Sequence, residues 1–155
     1  AALALSSGAC GYRMVHPGGG LPDGVAVVCA PVMENLTPEP AAETWFTEAL
    51  RLHLLRIGAL ASRDCPAEVV GEVLSLTSTV GTLDARGQVT SYRASARLRL
   101  TLRKDGVEVR SVTVNSSDDY LAGLDLLELD VAREAALRRL AEALTRDAFE
   151  QLSVG

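Results

Sequence analysis

Aromatic side chains are scarce, at 4% of 155 residues, and this excludes a broad stacking platform for nucleic-acid bases. The core must instead be built from Leu, Val and Ala. Excess positive charge is also lacking, because the formal net charge is −5; the summed field repels a polyanion except at a local basic patch. Histidine is reduced to His16 and His53, and no Cys or acid falls at metal-ligand spacing with either. No metal or cofactor is expected. The chain has no G-x-S-x-G elbow and no G-x-x-x-x-G-K loop, so the common nucleophile and nucleotide motifs are missing. An enzyme is not the expected class. An exported hydrolase would need catalytic residues gathered from distant segments.

What is present suffices for one domain: 48% of residues are hydrophobic, and ~100–150 residues is the usual domain size. Residues 1–9 read as the tail of an export signal, too short for the ~20 apolar residues that span a bilayer. Gly8 and Ala9 before Cys10 resemble a bacterial lipobox, although Ser7 stands where Leu is usual. Cys10 is therefore the expected lipid-attachment residue. Residues 10–20, with Pro17-Gly18-Gly19-Gly20, read as a tether, and 21–155 as the domain. Cys29 and Cys65 remain. Export permits a bridge between them, but Cys29 lies in an apolar run and reads first as a small buried hydrophobe.

Val25 to Met33 is uncharged and without alternation, which suggests a central strand covered on both faces. Asn35-Leu36-Thr37-Pro38-Glu39-Pro40 supplies turn and cap chemistry. A helix follows, with Ala42, Trp45, Phe46, Ala49, Leu50, Leu52 and Leu54 as its apolar stripe, Trp45 in the core, and Gly58 as its stop. A second strand is expected over Glu68–Val80. The third alternates Tyr92, Ala94, Ala96, Leu98, Leu100 and Leu102 with Arg93, Ser95, Arg97, Arg99, Thr101 and Arg103, one face buried and one wet. Asp105-Gly106 signals a hairpin into a strand from Val107 to Asn115. A two-residue loop would set Arg103 opposite Glu108, Thr101 opposite Arg110 and Arg99 opposite Val112. Asp118-Asp119 reads as a strand-to-helix cap, and the last helix runs from about Asp125 to Leu152 with Leu129, Ala136, Leu140 and Leu144 inward. The order β-α-β-β-β-α gives an α+β two-layer sandwich: a four-stranded antiparallel or mixed sheet with two helices on one face.

One feature carries chemistry. Arg93, Arg97, Arg99 and Arg103 form a row with roughly 7 Å between alternate residues of a strand, and guanidinium grips phosphate through paired donors. The plainer alternative is a solvated sheet face whose charges are met by Glu72 and Glu108.

Cys10-Gly11-Tyr12, Gly20-Leu21-Pro22, the apolar run with Pro31, Glu34-Asn35-Leu36-Thr37, Glu39-Pro40 and Thr47-Glu48-Ala49-Leu50 together resemble the LptE family of lipopolysaccharide-assembly lipoproteins. Ala135, Leu140 and Ala143 of the late helix agree with it. The resemblance implies a non-enzymatic protein on the periplasmic side of the outer membrane, lipid-anchored, plugging and helping to assemble the LptD barrel and contacting lipopolysaccharide. No nucleic-acid partner is expected, given the net charge and the few aromatics. The four arginines then acquire a candidate ligand, the phosphates of lipopolysaccharide, as an inference from the stripe. A different periplasmic lipoprotein that binds and activates an envelope enzyme or a secretion apparatus is the alternative, and co-purification with a large outer-membrane barrel or with a soluble partner separates the two.

Overall fold

The computed structural model describes residues 21–154. Cys10, His16 and the segments expected to be a signal remnant and a tether lie outside the described residues. A 3-10 turn at Pro22–Gly24 precedes β1 (Glu34–Asn35), α1 (Ala42–Arg56), β2 (Ala67–Leu83), β3 (Val89–Lys104), β4 (Val107–Leu121) and α2 (Leu126–Ser153). The sheet order is β1-β2-β3-β4, with β1 parallel to β2 and the other two pairs antiparallel. Both helices pack on one face, α2 over β3 and β4, α1 against α2 and β2. This is the expected α+β order.

Alternation builds the core. Ala94, Ala96, Leu98, Leu100 and Leu102 of β3 are buried beneath Ala136, Leu137, Leu140, Leu144 and Ala148 of α2, while Phe46, Leu50 and Leu54 come from α1. Each fully buried Leu or Phe contributes about 1.5–3 kcal/mol relative to exposure. The start of α2 is fixed by Asp125, whose Oδ1 accepts the Glu128 N–H at 2.9 Å. The Glu128 carboxylate in turn accepts the Leu124 N–H at 2.8 Å, so one orphan donor of the first turn is satisfied and the residue before the cap is tied back to it. At the end of α1, Gly58 adopts φ +70°, the left-handed conformation that favours glycine there.

Several expectations are corrected. Val25 to Met33 is not a central strand: it runs along the β1 edge, bridging Val28 to Leu60 and Cys29 to Glu68 in parallel, and Val27 and Val32 are exposed. An unpatterned apolar run fixes neither where in the sheet a segment lies nor that both of its faces are covered. Cys29 is not a free thiol. It is joined to Cys65 with Cα atoms 5.7 Å apart, because both residues flank the same junction, where Cys29 N–H donates to Ala67 O at 3.0 Å and Val69 N–H to Cys29 O at 2.8 Å. β4 continues past Asn115 to Leu121, and the Asp118-Asp119 pair lies inside it, the capping role falling to Asp125. The hairpin register also differs. Arg103 faces Glu108 as expected, but a bulge follows, and Thr101 faces Ser111 and Arg99 faces Thr113; one extra residue in a strand shifts every later pair. Trp45 is half-buried rather than core, with the Arg138 guanidinium 5.9 Å above its ring, and Leu52 is exposed.

Candidate functional site

The sheet face away from the helices is covered by no element among the described residues, and β3 runs along its middle. The registers on both sides of β3 define its rows: Glu68–Arg103–Glu108, Val70–Thr101–Ser111, Glu72–Arg99–Thr113, Ser75–Arg97–Asn115, Thr77–Ser95–Ser117 and Thr79–Arg93–Asp119. The predicted arginine row is therefore real as placement. All four guanidiniums stand on one face, as the alternation requires.

Their surroundings separate them. Arg93 grips Asp119 through Nε to Oδ1 at 2.7 Å and Nη2 to Oδ2 at 2.9 Å. That hydrogen bonding holds the Asp119 carboxyl below its ordinary range and raises the guanidinium further. Arg99 reaches Glu72 at 3.2 Å. Arg103 stands between Glu68 and Glu108 in the register. Arg97 differs from these three. Like Arg103 it forms no ion pair among the described residues, but its row neighbours are a serine and an asparagine rather than acids. Ser75, Ser95, Arg97, Thr113, Asn115 and Ser117 line a shallow groove of about 520 Å³.

Chemically, this groove offers one exposed guanidinium with hydroxyl and amide groups on either side. Such a set can hold a phosphate through the paired N–H donors and exchange hydrogen bonds with neighbouring hydroxyls. It holds no candidate nucleophile–base pair, and no group of three or more His, Cys, Asp or Glu able to hold a metal ion occurs among the described residues. Nothing in the sequence associates Ser75, Thr113 and Asn115 with Arg97. Only the two hairpin registers place them around Arg97. A second missed contact joins Arg133 of α2 to Glu39, with Nη1 to Oε1 at 3.2 Å, across 94 residues of chain.

Comparison with known proteins adds to this geometry. The family model LptE, described as lipopolysaccharide-assembly, matches residues 26–152. No curated protein matches the sequence. Among solved structures, rare lipoprotein B from Shewanella oneidensis superposes with a TM-score of 0.56 at 14% identity, covering 78% of this chain and 92% of that one. The PelC dodecamer of Paraburkholderia phytofirmans gives 0.57 at 16% identity, over 89% and 91% of the two chains. A minor lipoprotein from Acinetobacter baumannii gives 0.51 at 16%, over 81% and 92%. At these identities the likeness is one of fold.

Proposed function

The chain belongs to the LptE family of lipopolysaccharide-assembly proteins, and from that premise we propose that it is a non-enzymatic plug and assembly partner of an LptD-like outer-membrane barrel that binds lipopolysaccharide on its open sheet face. A role in lipopolysaccharide assembly at the outer membrane comes with the family; the barrel partner and the direct contact are our reading. Two physical features support it. The lumen of a large outer-membrane barrel is polar and wide enough to take a plug, and the open face, rich in Ser, Thr and Asn, suits a wet, polar wall. Cys10 serves as the acylated anchor on the periplasmic side of the outer membrane, 10–20 as the tether and 21–155 as the working domain; the mass of the mature N-terminus would show two or more acyl chains on Cys10, whereas an unmodified N-terminus would remove the anchor.

The observation that carries the binding reading is the unpaired state of Arg97 inside a hydroxyl- and amide-lined groove. Arg93 and Arg99 are already paired with Asp119 and Glu72, and Arg103 stands between two glutamates in the register, so of the four predicted phosphate-binding residues Arg97 is the primary contact and the other three, each beside an acid, are secondary. Exchanging Arg97 for Glu replaces attraction with repulsion. In the full chain, Arg97→Glu is expected to weaken binding of purified lipopolysaccharide at least tenfold, a loss of about 1.4 kcal/mol or more, and enzymatically dephosphorylated lipopolysaccharide should be bound by the unaltered chain as weakly as by the variant. Equal binding by both proteins at unchanged circular dichroism would return the stripe to a solvated face.

A further inference from the structure

The two edges of the sheet are not alike. On one side β1 contributes only Glu34–Asn35, and the Cys29–Cys65 bridge, Pro31 and the irregular run before β1 blunt that edge. On the other side β4 runs fifteen residues, Val107–Leu121, with no sheet neighbour beyond it among the described residues. It carries neither Pro nor Lys, the residues that commonly protect an edge. The 3-10 turn at Pro22–Gly24 reaches only its beginning, where Pro22 and Asp23 share a groove with Val107, Glu108, Val109 and Arg110. From Arg110 onward the pairing with β3 is regular, the bulge lying before it.

A bare regular strand is a template for another strand, and its charges decide which. In an antiparallel pairing of β4 with a second β4, side chains opposite each other share a face, so the two-fold axis must pass through a residue. An axis at Thr113 sets Arg110 opposite Ser116 and Val112 opposite Val114, and leaves Asp118 without a cation across the seam, since Glu108 lies beyond the bulge on the other face. An axis at Asn115 leaves Arg110 opposite Tyr120 and Val112 opposite Asp118. An axis at Val114 sets Arg110 opposite Asp118 twice over, Ser111 opposite Ser117, Val112 opposite Ser116 and Thr113 opposite Asn115. Arg110 has no ion pair among the described residues, and Asp118 gives Oδ2 to Arg139 at 2.8 Å, leaving Oδ1 for a second guanidinium. Arg110, Val112, Ser116 and Asp118 are half-buried by their own subunit, so little further desolvation is needed.

We propose that the β4 edge is a self-association surface, on which a second copy of this chain pairs antiparallel about a two-fold axis at Val114, its register set by two reciprocal Arg110–Asp118 pairs. The two sheets become one of eight strands. Because the axis is perpendicular to the sheet, both Arg97 grooves open on the same side. The inference does not depend on what those grooves bind. Edge pairing covers less area than the ~1,200–2,000 Å² of a tight interface, so the association is weak and concentration-dependent.

Sedimentation equilibrium of the full chain over a range of concentrations tests this directly. A reversible dimer is expected, and Arg110→Asp and Asp118→Arg should each weaken it at least tenfold by placing like charges opposite one another. An equimolar mixture of the two variants should restore association to near the original strength, because each then supplies the charge the other lacks. The doubly reversed chain, Arg110→Asp with Asp118→Arg, should dimerise alone, which also controls for the lost Arg139 contact. A monomer at every concentration overturns the proposal, as does a dimer that neither reversal weakens or that the mixture fails to restore. Protection of the β4 amides only in complex with an outer-membrane barrel would assign the edge to that partner and overturn it too.

Discussion

At the scale of single residues, one side chain often serves two elements. Asn35 donates from Nδ2 to Glu39 O and to Glu43 Oε2, both at 2.9 Å, while its Oδ1 accepts the Thr37 N–H at 3.0 Å and hydroxyl at 2.7 Å. It thereby ties β1, the proline-bordered turn and the first turn of α1. The turn chemistry of Asn35-Leu36-Thr37 was readable, since these side chains bond nearby backbone in just this way. That Asn35 also reaches Glu43 was not, because the bond needs the helix in place. The cysteines show the same limit. Cys29 looked like a small hydrophobe from its neighbours alone, and only the approach of the segment after α1 reveals its partner. The bridge spans 36 residues, and loop-closure entropy for such a ring corresponds to about 3–4 kcal/mol. Replacing both Cys29 and Cys65 by Ser is expected to lower the urea unfolding free energy by about that amount, and reductant should destabilise the parent chain but leave the variant unaffected.

Among the elements, legibility followed periodicity. β3 shows period two over its whole length, and the structure buries its predicted apolar face and exposes its arginines, apart from the covered Thr101. β2 and β4 run past their expected ends, because Gly81-Thr82 and Ser116-Ser117-Asp118-Asp119 carry no apolar alternation and take their strand form from pairing with β3. The bulge between Leu102 and Arg103 left no mark in the sequence, and it decides which residues surround Arg97. The packing of α1 on α2 supplies one pH-dependent contribution to stability near neutrality. His53 lies half-buried with its ring edge-on to Phe149 at 5.2 Å. Burial depresses its pKa below the ordinary 6.5; Glu150 opposes the shift, and Arg146 and Arg56 add to it. The unfolded chain therefore takes up the proton first. Stability is full above about pH 7 and falls as pH drops through 6.5 toward the folded value, levelling below it. Thermal melts from pH 8 to pH 5 should show this step, and His53→Leu should remove it; an unchanged step in the variant would assign it to other groups.

For the whole molecule, the class and element order were accessible because two amphipathic helices and an alternating hairpin admit few two-layer arrangements. The sheet order was not, since the apolar run from Val25 to Met33 fits an edge or a centre equally well until its partners are known. The same holds for Arg133 and Glu39, which fasten α2 to the turn before α1 from 94 residues away and carry no local signal. The Cys29–Cys65 link has a mechanical consequence. A pull applied between Leu21 and the end of α2 would pass through the sulfur atoms and bypass everything between them, α1 included. That enclosed stretch would otherwise add about 120 Å of extended chain, at ~3.3–3.6 Å per residue. A tug from the N-terminal side is thus carried by β2 and its neighbours, while α1 lies in a covalently shielded loop that bears none of the load.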